Sequence, residues 1–120
     1  MIRRGGGAIV GLSGISTHVG TPERAHVSAS KAGLEGLMRT LAVELAPFRI
    51  TANCVAPGAV DTIRGTSAGE MPNTMLDDRI PLARKAAVDE IAALIGHIVG
   101  PAGTYITGQT IHINGGLYLT

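Results

Sequence analysis

Two short apolar runs stand on either side of a long helical pattern, and that alternation admits few folds. The first run is Gly7-Ala8-Ile9-Val10-Gly11-Leu12-Ser13; the second is Ile50-Thr51-Ala52-Asn53-Cys54-Val55-Ala56, closed by Pro57-Gly58. Continuous apolar runs of this length suit strands buried on both faces of a parallel sheet. Between them, residues 14–23 are rich in Gly, Ser, Thr and Pro and read as loop. A helix is then expected from 23 to 46, ended by Pro47. Leu34, Leu37, Met38, Leu41 and Leu45 recur at helical spacing as one apolar stripe. Ala29, Gly33 and Gly36 form a second stripe of small residues. Each helical glycine costs roughly 1 kcal/mol against alanine, so the pair points to close approach by another backbone or a ligand.

Further on, Val88, Ile91, Ala92, Ile95, Ile98 and Val99 mark a helix over 88–99, with Asp89 and Glu90 in its first turn, where they complement the dipole. Gly100-Pro101 stops it, and 109–113 reads as a last short strand. Residues 59–82 carry no clear period, a length of irregular chain that often serves as a lid. With strands near 8–13, 50–56 and 109–113 and helices near 23–46 and 88–99, the expected class is α/β with a parallel sheet. Three strands and two long helices are thin for such a sheet, and the first strand would be an exposed edge. Residues 1–120 therefore read as part of a single larger domain.

Composition narrows the function classes. Ten Lys+Arg against nine Asp+Glu give a net charge of +1. That balance offers no basic footprint for nucleic acid and no polybasic membrane anchor. No run of 18 apolar residues suggests a membrane span, and the arginine-glycine start is a poor signal peptide. Cys54 stands alone, so no internal disulfide or thiolate metal cluster is expected, and the expected setting is cytoplasmic. The hydrophobic share is 45% but the aromatic share only 2%, so the core must be aliphatic.

Three strings carry a resemblance when read in order: Ser28-Ala29-Ser30-Lys31-Ala32-Gly33-Leu34, Asn53-Cys54-Val55-Ala56-Pro57-Gly58, and Tyr105-Ile106-Thr107-Gly108-Gln109-Thr110-Ile111-His112-Ile113-Asn114-Gly115-Gly116. Together they resemble the C-terminal half of the short-chain dehydrogenase/reductase family, nearest its 3-oxoacyl-carrier-protein reductase-like branch. The resemblance covers essentially the whole chain. It implies half of a Rossmann-type doubly wound sheet. It also implies hydride transfer between NAD or NADP and a small carbonyl or alcohol, a 3-oxoacyl compound for that branch. Members are about twice this length, and their N-terminal half carries the glycine turn that binds the dinucleotide pyrophosphate. Here Gly5-Gly6-Gly7 precedes a strand instead of following one, so the chain is expected to be a fragment, a truncated product or a wrongly started reading frame.

The family's catalytic positions transfer unevenly. Lys31 occupies the lysine position, which implies binding of the nicotinamide ribose and lowering of a tyrosine pKa, the alternative being an ordinary exposed helix lysine. That tyrosine, one turn earlier on the same helix face, is replaced by Val27, which has no proton to give. The serine that holds the substrate oxygen falls on Gly14, flanked by Ser13 and Ser16. Ser13 takes that role only if the loop shifts. His26 adjoins the lost tyrosine and can act as a general acid, but a one-residue step turns it about 100° around the helix. It aligns with Ser30, and the alternative is a solvated or structural histidine; His18, on the substrate-side loop, carries the same two readings. Pro57, Gly58, Val60 and Thr62 match the stretch that meets the nicotinamide carboxamide, the alternative being a plain strand-to-loop turn. No metal site is expected. Two functions stay open: a reductase or dehydrogenase with a degenerate site, or a non-catalytic relative that binds or scaffolds. The family also implies a homo-oligomer through the helix of 23–46.

Overall fold

A computed structural model describes residues 1–63 and 77–120. Three strands form one parallel sheet in the order β1 (Gly7–Leu12), β2 (Ile50–Pro57), β3 (Thr110–Ile113). Gly7 pairs with Ile50 and Leu12 with Val55, while Cys54 pairs with Thr110 and Pro57 with Ile113. The central strand is buried along almost its whole length, but β1 is mostly half-buried, because one of its edges has no described neighbour.

Helices cover both faces, which is why the strands read as unbroken apolar runs. Helix α2 (Ala25–Leu45) lays Leu34, Met38, Leu41 and Ala42 on Ile9, Ala52 and Cys54. Helix α3 (Val88–Val99) lays Ile91, Leu94, Ile95 and Ile98 on Val10, Val55, Ile111 and Ile113 of the opposite face. Its first turn is closed by Glu90, whose carboxylate accepts the Ala87 N–H at 2.8 Å and pairs with Arg84. The Arg84 guanidinium, with that N–H, holds the Glu90 carboxyl down at about 2.

Several boundaries move from the sequence expectation. The first strand ends at Leu12, not 13: the Ser13 amide still bonds Val55 O, but its hydroxyl turns to α2. The long helix starts at Ala25, not 23, because Glu23 adopts φ 61°, a left-handed conformation that cannot open a right-handed helix. It ends at Leu45, and a 3₁₀ turn, Ala46–Phe48, takes over where Pro47 removes a donor. Inside the expected loop of 14–23 lies a one-turn helix, α1 (Ser16–Val19). The last strand starts at Thr110, not 109, since the Gln109 amide is held by Asn53 Oδ1 at 3.0 Å.

The helical stripes also need correction. Leu37 is half exposed and leaves the large aliphatic stripe to share the outer face with Val43, which is 78% exposed. The small stripe is open: among the described residues, and apart from the nearby backbone of α2 itself, nothing lies within 4 Å of a Cβ built on Gly33, and one built on Gly36 meets an Arg39 nitrogen at 4.0 Å. Of the irregular stretch 59–82, residues 64–76 lie outside the described residues. Within the rest, Val60 bridges Ala86, and Ile80 is buried.

Candidate active site

Ligands of parallel α/β sheets sit at the carboxyl ends of the strands, and the chemistry-bearing residues gather there. β1 ends at Leu12, and α2 runs back alongside it. Lys31 and Glu35, one turn apart on α2, face this strand end together. The Lys31 ammonium donates to Leu12 O at 2.6 Å. The next residue, Ser13, donates its hydroxyl to Glu35 Oε1. The same oxygen accepts from Thr17 Oγ1 at 3.3 Å and lies 3.2 Å from His18 Nε2. Two consecutive residues of the β1 end are thus held by two consecutive turns of α2.

Glu35 is only 5% exposed. Burial alone would push its carboxyl up, but the hydrogen bonds from Ser13 and His18, the His18 charge and the Thr17 hydroxyl outweigh it and hold the carboxyl below the usual range. Behind it, the rings of His18, His112 and Tyr118 touch in a triangle, with centroids 4.6, 5.1 and 4.9 Å apart. Burial and then the His18 charge push the His112 imidazole below its ordinary value, and its Nδ1 is buried with no partner among the described residues. Burial, reinforced by the Glu35 charge, pushes the Cys54 thiol up, which fits a buried thiol in an apolar strand.

The residues singled out from the sequence fall into distinct places. Ser13 is buried with its hydroxyl committed to Glu35, so it does not face open space. His26 is exposed in the first turn of α2. Val27 is half-buried, and its neighbour Ser28 donates to Ser16 O at 3.1 Å, tying α2 to α1. His18 bonds at the level of Glu35, eight residues along α2 from Val27, or about 12 Å of helix rise. It therefore does not stand in the lost tyrosine's place. Pro57 closes β2, its carbonyl accepting from the Ile15 amide at 3.2 Å. A Cβ on Gly58 would lie 2.9 Å from Asn114 Cα, so the glycine is required by the turn after β3 whatever else approaches it. Val60 packs its side chain under α3, and the ladder to Ala86 uses the Asp61 and Ala86 amides, leaving the Val60 N–H out. Thr62 is exposed.

Glu35, Thr17, His112 and Tyr118 escaped sequence reading as a group. The available sign was Glu35 itself, a carboxylate between Leu34 and Met38 on the face that packs the sheet. A groove of about 850 Å³ lies at the other, amino ends of β1 and β2, among Gly7, Ile50, Ile98 and Tyr105, and includes none of these residues. The Gly5-Gly6-Gly7 turn is also at that end, so it cannot face a ligand beside Lys31. No group of three or more metal-ligating side chains occurs among the described residues, and no described helix is long and apolar enough to cross a membrane.

Comparisons with known proteins agree with this architecture. A family model described as enoyl-(acyl carrier protein) reductase matches residues 1–118. Nodulation protein G of Rhizobium meliloti is 35% identical over 117 residues, covering 98% of this chain and 48% of that protein. The 3-oxoacyl-[acyl-carrier-protein] reductase of Staphylococcus aureus is 42% identical over 120 residues, covering 99% and 48%. Among solved structures, the acetoin dehydrogenase of Salmonella typhimurium superposes with a TM-score of 0.83 at 32% identity, covering 97% of this chain and 45% of that one. The chain spans about half the length of the curated relatives it matches. With its parallel Rossmann-type sheet and matching strings, the chain belongs to the short-chain dehydrogenase/reductase family.

Proposed function

We propose that these residues supply the carbonyl-side half of an NAD- or NADP-dependent oxidoreductase acting on a small carbonyl or alcohol, a 3-oxoacyl compound being the class favoured by the relatives. The observation that carries it is the Lys31 ammonium, fixed 2.6 Å from Leu12 O at the carboxyl end of the sheet. Lys31, the Val60 N–H and the exposed Thr62 hydroxyl fit the nicotinamide end of a dinucleotide, two as donors and one as donor or acceptor. When bound, the cofactor supplies or takes the hydride. Lys31 would hold the ribose, and the Val60 amide would orient the carboxamide.

Proton delivery is the weak function. Val27 offers no hydroxyl, and Ser13 is engaged by Glu35. The domain of residues 1–120 is thus read as the C-terminal part of a reductase fold with a degenerate site, working in the cytoplasm. Those same two residues favour a second reading, a relative that keeps the fold to bind or scaffold without turnover. Calorimetric titration of the 120-residue chain with NADH and NADPH tests the proposal. Binding is expected to be weak, because no glycine turn of the dinucleotide-binding kind follows a strand among the described residues to cradle the pyrophosphate. A low-micromolar dissociation constant would refute that. An acetoacetyl-substrate assay on a longer natural product containing these residues separates the two readings, turnover favouring the first.

A further inference from the structure

The buried carboxylate of Glu35 has no role in the reading above, and its geometry gives it one. It is one helical turn from Lys31 and grips Ser13, the residue after the one whose carbonyl Lys31 binds. It also gathers Thr17 and His18, so a single oxygen draws residues 13–18 onto α2. Backbone bonds from Ser13 N to Val55 O at 2.8 Å and from Ile15 N to Pro57 O at 3.2 Å fasten the other side of this segment to β2. The Leu12 carbonyl lies immediately before this clamped segment, and it is the acceptor described for the Lys31 ammonium.

We infer that Glu35 is a positioning residue: by clamping Ser13, it fixes the Leu12 carbonyl and through it the Lys31 ammonium at the candidate active site. The functional weight of Lys31 rests on the proposed oxidoreductase reading; the clamp itself does not. A flexible lysine loses rotamer freedom on being held, so a fixed acceptor is needed to keep its head in one place. A carboxylate is suited to the task because charge-assisted hydrogen bonds are roughly twice as strong as neutral ones. Glutamine at 35 would keep the shape but not that strength.

The test uses the 120-residue chain labelled with ¹³C and ¹⁵N. The readouts are the Leu12 carbonyl shift, which reports the Lys31 bond, and amide hydrogen exchange along 13–19. In Glu35→Gln, the Leu12 carbonyl is expected to move toward the value of Lys31→Met, and the Ser13 and Ile15 amides to exchange about tenfold faster or more. In the Lys31→Met background, Glu35→Gln should leave the Leu12 carbonyl almost unmoved, since the bond it governs is already gone. A purely structural Glu35 would shift Leu12 equally in both backgrounds, and that result overturns the inference. Ser13→Ala, which removes the link but leaves the carboxylate, gives the same readout should Glu35→Gln fail to fold. An unmoved Leu12 carbonyl in Ser13→Ala overturns the inference too. Cofactor titration is a separate measurement, so failure of the reductase reading leaves the carbonyl result standing on its own.

Discussion

Ile91 and Ile98 present the same side chain to the same cluster, yet truncating them should cost different amounts. Both sit on α3 against Val55, with 6% and 1% of their surfaces exposed. Replacing isoleucine by alanine removes three carbons, worth roughly 2.4 kcal/mol at about 0.8 kcal/mol per buried methylene. What is added depends on the void left behind, up to about 5 kcal/mol in total where the surroundings cannot collapse. Ile98 lines the 850 Å³ groove at the amino ends of β1 and β2; Ile91 does not. Ile98, though only 1% exposed, stands at the groove wall, so the void left by its deletion opens toward that groove. Ile98→Ala is therefore expected to cost about 2–3 kcal/mol and Ile91→Ala about 3–5 kcal/mol. Urea unfolding followed by far-UV circular dichroism, with equal slopes for both variants, measures the difference. If Ile98→Ala is as costly as Ile91→Ala, or costlier, the groove is not open in solution and the argument from void geometry is wrong.

Other outcomes follow from the site and the surface. Stability should fall on acidification in two stages. His112, lowered from 6.5, contributes stability that is fully present above 6.5 and is lost as pH drops through its lower folded value. Glu35, lowered from 4.5, does the same further down, so thermal melting between neutral and acid pH should show a loss that His112→Phe removes from the upper stage only. Val27→Tyr in a longer natural product should raise carbonyl reduction, because it restores a hydroxyl one turn before Lys31; an unchanged rate in a protein that already turns over would assign the proton to another group. The exposed face of α2, with Gly33 open and Val43 78% exposed, should bury itself against a second copy. Light scattering at micromolar concentration is expected to give at least two chain masses, and Val43→Glu to reduce them; a stable monomer that unfolds cooperatively would refute the association.

The elements were legible because parallel strands advertise themselves as unbroken apolar runs. Ile9 and Val10 point to opposite cores, one under α2 and one under α3, and only such a strand needs apolar residues at consecutive positions. Periodicity likewise found α2 and α3. It misplaced Leu37 because a stripe wide enough to include it exceeds the face one sheet can cover. The boundary errors have local causes that composition does not carry: the left-handed Glu23 and the Asn53 side chain that takes the Gln109 amide. Asn53 shows the limit of reading a motif as a site. It stands in a string that marks the family, yet its amide holds Ile106 O and the Gln109 N–H, which sets where β3 begins.

The polar cluster was illegible for a different reason. Its members come from residues 13–18, from α2, from β3 and from the segment after it, and no spacing rule connects Ser13 to Glu35 or His18 to His112. What the sequence shows is each residue alone, and a lone polar residue has a bland explanation every time. Only the fold makes them a unit, because β1 and β3 flank β2 with their carboxyl ends together and α2 crosses beneath. The consequence for the candidate site is specific. Lys31 lies at the carboxyl end of β1 with Leu12 O as its acceptor, while Gly14 and Val27 carry no hydroxyl and the Ser13 hydroxyl is given to Glu35. Under the proposed reading, the residues for a cofactor's near end and those for moving a proton are therefore separable. Binding and turnover are accordingly the two properties to measure independently.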